Sequence, residues 1–320
     1  MKQNKPLELK PLFEERMKAL LKEDYNNYLE ALKTPSPKSI RCNTIKISPD
    51  KLKERLQNKG WKLKQPFKNY PEIFILESQL QPGELGRSLE HQLGYYYVQE
   101  IASMLPILAL EPKPNETILD LCSAPGSKTT QAAAKMQNTG TIIANEVNFG
   151  RIKVLATNLQ RCGITNTIIT KKDGISLCKK LAKEEIYFDK ILIDAPCSGE
   201  GTLRSSPKTC KMWNIKSVKN LSKLQKALVS SAIEILNSNG ELVYSTCTHA
   251  PEENEEIVNY ILENFSDMKI QEIKLPIKCR QGIITWEDKE YSKEIKQSCR
   301  IYPQDNNTDG FFIAKFRKLR

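Results

Sequence analysis

The chain of 320 residues is 39% hydrophobic and 27% charged, with 49 Lys and Arg against 38 Asp and Glu for a net charge of +11. That length suits two domains, or one large and one small, and the composition excludes a helical membrane protein, because no apolar run approaches the ~20 residues of a span. The opening MKQNKPLELK lacks the apolar core of a signal peptide, so the cytoplasm is the expected compartment.

The segment LFEERMKALLKEDYNNYLEAL spaces its apolar residues with a helical period from Leu12 to Leu29, and TPSPKS ends it. A short strand, SIRCNTIKI, follows, then a helix opened by Ser48 with Pro49 at its first position, then a strand around WKLKQPF. Between Ala31 and Tyr70, Lys and Arg outnumber Asp50 and Glu54 by nine, so nearly all of the charge excess is expected near the N-terminus. Residues 1–94 are read as a helix plus a small basic α+β module suited to nucleic acid phosphates.

From about Val98 strands and helices alternate. ETILDLC (116–122), TIIANE (141–146), NTIIT (166–170), DKILID (189–194) and GELVYSTC (240–247) read as strands. Ser127–Met136, Phe149–Arg161, a long amphipathic segment from Val218 to Leu236 and a run from Glu252 read as helices, and GFFIAKF (310–316) is the closing strand. The pattern predicts an α/β fold with a doubly wound, mainly parallel, Rossmann-like sheet over residues 95–320. Nine cysteines at irregular spacings, without a CxxC pair and with two histidines in the chain, argue against a disulfide framework or a zinc site. Cys42, Cys162, Cys178, Cys210, Cys279 and Cys299 are read as small buried hydrophobes, and no metal is expected.

Sheets of this type bind ligands beyond the carboxyl ends of their strands, and the unusual polar clusters fall there. In DLCSAPGSKTTQ the first strand turns through Pro125 and Gly126 into a helix, where a missing Cβ and free N–H groups suit a carboxylate or phosphate. The GxxxxGK and GxGxxG spacings are absent. Glu146 ends the next strand, where an acid accepts ribose hydroxyls, and Asp173 stands where an adenine amino group would be met. Carboxylate, ribose and adenine are the parts of S-adenosylmethionine.

Two further strands end in cysteines, ILIDAPCSGEG with Asp194 and Cys197, and STCTHAPEEN with Cys247. The motifs LDLCSAPGSKTTQ, ANE with Arg151, KKDG, DAPCSGEGTLR and YSTCTHAPEENE, in this order, resemble the Nop2/Sun (RsmB-like) family of RNA cytosine-5 methyltransferases. RCNTIK, GYYYVQEIASMLP, RIYP and TDGFFIAK resemble its flanking elements, so the likeness runs from about Ser39 to the end of the chain. It implies a class I methyltransferase sheet, S-adenosylmethionine as cofactor and RNA as partner. Carbon 5 of cytosine is a poor nucleophile until a thiolate adds at carbon 6. The resemblance assigns that attack to Cys247 and help in product release to Cys197, with Asp194 hydrogen-bonding and protonating the base and Lys128 positioning both. Cofactor contacts are implied at Cys122, Ser123, Ala124, Pro125, Gly126, Ser127, Lys128, Glu146, Arg151, Asp173, Gly174, Asp194 and Pro196.

Arg41, Asn43, Gln99 and Arg204 are expected to contact RNA or to orient the active-site loops, and Tyr95, Tyr96 and Tyr97 to stack on a base or fill the core. A DNA cytosine-5 methyltransferase would use the PC cysteine as nucleophile; the second cysteine here favours RNA. A catalytically silent RNA-binding or ribosome-assembly factor would not need both cysteines and Asp194. Transfer RNA is preferred over ribosomal RNA because tight flanking elements and the lack of a long C-terminal extension resemble compact members. A monomer is expected.

Overall fold

The computed structural model describes residues 9–319, so MKQNKPLE, read above for a signal peptide, lies outside the described residues. No helix among the described residues is long and apolar enough to cross a membrane. The predicted N-terminal helix is two, α1 (Pro11–Leu21) and α2 (Tyr25–Leu32). Their stripe faces the larger domain, since Phe13, Met17, Tyr25 and Tyr28 pack with Leu203, Trp213, Val218 and Tyr302.

The small module is a four-stranded antiparallel sheet of β1 (Ser39–Cys42), β2 (Leu63–Lys64), β3 (Ile73–Leu76) and β4 (Tyr96–Val98) in the order β2-β3-β1-β4. Helix α3 (Pro49–Gln57) starts where expected, with Pro49 in its first turn and the Ser48 hydroxyl accepting the Lys51 N–H. Its Leu52 and Leu56 close the module's core on Ile40, Phe74, Trp61 and Tyr96. Strand β4 lies beyond the boundary expected at residue 94, and it puts Tyr96 and Tyr97 inside rather than against a base.

The large sheet has nine strands: β5 (Thr117–Asp120), β6 (Thr141–Asn145), β7 (Thr167–Thr170), β8 (Phe188–Asp194), β9 (Leu236–Thr246), β10 (Met268–Gln271), β11 (Arg280–Gln281), β14 (Cys299–Ile301) and β15 (Phe311–Lys318). The remaining hairpin, β12 (Thr285–Trp286) with β13 (Lys289–Glu290), stands apart from it. Strands β7, β6, β5, β8 and β9 are parallel neighbours in that order, and β15, β14, β11 and β10 add an antiparallel wing beyond β9. Only β15 of that wing was legible, because β11 is two residues long and β14 three.

Period-two alternation divides the core. Leu119, Ile191, Ile193 and Tyr244 point to one face, with residues of α7 (Gly174–Lys183), α8 (Ile215–Glu234) and α9 (Glu255–Asn264), among them Leu177, Leu228 and Ile257. Ile118, Ile142, Leu192 and Val243 point to the other, against α4 (Ile101–Leu110) and α5 (Ser127–Lys135). Helix α4 is apolar except for Ser103 and contains Pro106, so it has no helical period to read. Helix α6 (Phe149–Cys162) covers β6 through Leu155 and Leu159, which pack on Ala144.

Arg41, Asn43, Gln99 and Arg204 are all buried, so of the two roles expected for them, RNA contact or orientation of the active-site loops, burial leaves the second. Arg41 donates to Ser127 O at 2.8 Å, to Thr130 Oγ1 at 2.8 Å and to the Gln99 side chain, tying β1 to α5. Asn43 donates to Gly94 O and Cys162 O at 2.9 and 2.7 Å. Arg204 donates to Thr308 O at 2.9 Å and Thr34 O at 3.0 Å. A buried guanidinium or amide needs its partners inside, and these side chains spend their donors joining segments distant in sequence. Finally, Cys279 and Cys299 are not free packed thiols but a disulfide that joins the residue before β11 to β14, with Cα atoms 5.2 Å apart. That pairing depends on the antiparallel wing, which spacing alone did not reveal.

Candidate active site

Strands β8 and β9 run parallel with Asp194 beside Ser245, so the loops after them leave the sheet together. Cross-links hold the two loops in register. Ala195 N donates to Ser245 O and Gly201 N to Cys247 O, both at 2.9 Å. Ser198 Oγ meets Thr248 Oγ1 at 2.7 Å, and Ser198 N donates to Glu253 Oε2 at 3.0 Å. Gly201 is required by proximity, since a Cβ there would lie 2.3 Å from Gly310 O and 2.9 Å from Cys247 O. The outcome is a sulfur pair, with Cys197 Sγ 3.2 Å from Cys247 Sγ.

The Cys247 sulfur and burial hold the Cys197 thiol well above its ordinary pKa, so this sulfur keeps its proton at neutral pH. Asp194 accepts Ser245 Oγ at 2.8 Å and pairs with Lys128 Nζ at 2.7 Å. Lys128, in the first turn of α5, is buried; its ammonium also donates to Ser103 Oγ at 3.1 Å and stands 5.2 Å from the centre of the Phe311 ring. A carboxylate, an ammonium and two sulfurs therefore line one cavity of about 530 Å³.

The rest of that cavity is the predicted cofactor loop and strand ends. Cys122, Ser123, Ala124, Pro125, Ser127, Glu146, Arg151, Asp173, Gly174 and Pro196 all line it. Arg151 bridges Glu146 Oε2 at 3.0 Å and Ala124 O at 2.5 Å, which fixes both sides of the loop. Asp173 caps α7, accepting Ser176 N at 2.9 Å. Asp120, at the end of β5, is buried and raised to about 7, chiefly by desolvation; Thr129 donates to Oδ2, and Oδ1 has no partner. An orphaned carboxylate oxygen with acids at the next two strand ends suits a ligand that carries an ammonium, ribose hydroxyls and an amino group. S-adenosylmethionine fits these donors, and the volume is that of a small-molecule site.

One predicted role changes. Gly126 does not line the cavity; its φ is +101° and a Cβ would meet Leu155 Cδ1 at 2.9 Å, so the glycine serves the turn and the packing of α6 rather than ligand approach. Sequence reading missed Glu100, Ser103, Asp309 and Phe311, which also line the cavity. Glu100 caps α4 through Ser103 N at 3.2 Å and accepts Asp309 N at 3.1 Å; burial, with Asp309 close by, raises it to about 7. The available signal was an acid one residue ahead of an apolar helix.

A parallel sheet with ligand groups at its strand ends, joined to paired cysteines, defines a Rossmann-like S-adenosylmethionine-dependent methyltransferase. Residues 107–317 match the family model described as 16S rRNA methyltransferase RsmB/F, and residues 9–101 match the N-terminal domain of 16S rRNA methyltransferase RsmF. The chain belongs to this RsmB/F methyltransferase family. It is 41% identical to the tRNA (cytosine(49)-C(5))-methyltransferase of Pyrococcus abyssi over 93% of both chains. It is 40% identical to ribosomal RNA small subunit methyltransferase F of Aliivibrio fischeri over 92% of this chain, but spans 60% of that protein's length. A solved methyltransferase homolog from Pyrococcus horikoshii superposes with a TM-score of 0.86 at 36% identity, covering 98% of this chain and 96% of that one.

Proposed function

We propose that the chain methylates carbon 5 of cytosine in RNA, with transfer RNA as the substrate, through a covalent bond between Cys247 and the base. The observation that carries this is the 3.2 Å sulfur pair on the cavity that also holds the Lys128–Asp194 pair. When bound, S-adenosylmethionine supplies an electrophilic methyl group. Cys247, its thiol proton given up to water, forms the S–C6 bond as Asp194 relays a proton from the Lys128 ammonium 2.7 Å away to N3. Electron density thus reaches C5, which takes the methyl. Loss of the C5 proton to water, with the N3 proton returned through Asp194 to Lys128, then re-forms the ring double bond and expels the Cys247 sulfur. Cys197, held as a thiol, donates its S–H to that departing sulfur, which assists release. Glu146 and Asp173 hold the ribose and adenine ends of the donor.

Replacement of each cysteine tests the assignment. Cys247→Ala is expected to abolish transfer from labelled S-adenosylmethionine to RNA without forming an adduct, and Cys197→Ala to accumulate a covalent protein–RNA species. The reverse pattern would exchange the two roles.

The choice of transfer RNA is supported by the 41% identity to a tRNA enzyme over 93% of both chains. Ribosomal RNA is the second reading, supported by the 40% identity to a small-subunit enzyme. Bisulfite sequencing of RNA from a deletion strain and its parent decides between them by which RNA loses a protected cytosine.

A further inference from the structure

The charge excess is not confined to the N-terminal stretch. From Gly201 to Ile233 the chain has Arg204 and Lys208, Lys211, Lys216, Lys219, Lys223 and Lys226, and no Asp or Glu. Arg204 is spent inside the protein, and Lys226 pairs with Glu256 at 2.8 Å. The other five lysines are exposed, and among the described residues they have no ion-pair or hydrogen-bond partner. Lys208 and Lys211 belong to the short helix Lys208–Met212 that follows the PC loop. Lys216, Lys219 and Lys223 lie at i, i+3 and i+7 of α8, on one face about 10 Å long.

The elements that carry these lysines also reach the active site. Leu224 and Leu228 of α8 and Thr202 of the PC loop line the cavity that holds Cys197 and Cys247. Met212 and Leu224 are exposed beside the lysines, at 72% and 37%. Like charges in a row repel and gain nothing for the fold, so an exposed row with no acid in 33 residues of chain, on elements that reach a reaction cavity, fits a polyanion.

We propose that the exposed face of the helix Lys208–Met212 and of α8 is a phosphate-binding ridge that holds the RNA backbone flanking the target cytosine. This rests on RNA being the substrate. The lysine ammoniums neutralise phosphates and release counterions, while Met212 and Leu224 give an apolar contact for a base or ribose. The ridge acts on binding, not on the chemical step, because none of its lysines lines the cavity.

The test measures affinity for fluorescein-labelled bulk bacterial transfer RNA between 50 and 400 mM salt. It compares the wild type with a variant in which Lys208, Lys211, Lys216, Lys219 and Lys223 are all Gln, and with another in which all five are Arg. The Gln variant should bind at least about tenfold more weakly at 150 mM salt, and the slope of log affinity against log salt should flatten by about 2–4. The Arg variant should keep both, and all three proteins should bind S-adenosylmethionine equally. A Gln variant with wild-type affinity and slope overturns the ridge and leaves the methyltransferase reading intact. A wild type that neither binds nor methylates RNA overturns that reading, and the ridge with it.

Discussion

Glu253 links stability to catalysis, and Glu253→Gln separates the two. The side chain is fully buried; its Oε2 accepts Ser198 N at 3.0 Å and Gln225 Nε2 at 2.9 Å, and Gln225 Nε2 also reaches Pro196 O at 2.9 Å. The carboxylate thus ties the Cys247 loop to the Cys197 loop. Burial raises its pKa from the ordinary 4.5 to about 7. A carboxyl with a raised folded pKa contributes fully below pH 4.5 and loses that contribution as pH rises through 7. At pH 8 the folded state then carries a penalty of about 3 kcal/mol relative to the unfolded chain, and at pH 5 of about 1 kcal/mol. Gln presents an oxygen to the same two donors and has no charge to desolvate. It should stabilise the protein at pH 8 by about 2 kcal/mol more than at pH 5, a gain in urea midpoint of about 0.5–1 M. Methylation by the Gln variant should stay within about threefold of wild type. Glu253→Ala, which leaves two buried donors without an acceptor, should lose about 2–4 kcal/mol and most of its activity. Urea titrations at the two pH values decide the matter. A Gln effect that is equal at pH 5 and pH 8, or larger at pH 5, would refute the buried-carboxyl reasoning.

Two other substitutions probe the site. Gly201→Ala places a Cβ 2.3 Å from Gly310 O and should cost about 1–3 kcal/mol with loss of methylation, whereas Gly86→Ala, into open space, should change stability by less than about 0.5 kcal/mol. Equal melting temperatures for the two would show that the loops yield at no cost. Lys128→Met removes the ammonium 2.7 Å from Asp194 and should slow single-turnover methylation at least about 100-fold while S-adenosylmethionine affinity, by calorimetry, changes less than about fivefold. A matching fall in affinity would make Lys128 a cofactor ligand instead.

Much of the site was legible because its chemistry sits where strands end, and strands announce themselves by apolar runs. ETILDLC, TIIANE and DKILID each lead into an acid or thiol that lines the cavity. Glu100 and Asp309 escaped because they meet through contact between residues 209 positions apart, beside a nearly all-apolar helix that carries no period.

The sequence by itself determined the alternation of strand and helix and the turn that follows the first strand, since these are local properties of composition and spacing, whereas the roles of the two sulfurs were what the family resemblance implied. Only the tertiary structure decided that Arg41, Asn43, Gln99 and Arg204 are interior fasteners, that Cys279 joins Cys299, and that five lysines between Lys208 and Lys223 are exposed. The physical reason is common to all three. Whether a polar or sulfur side chain meets solvent or a partner depends on which distant segment packs over it, and no local pattern encodes that neighbour.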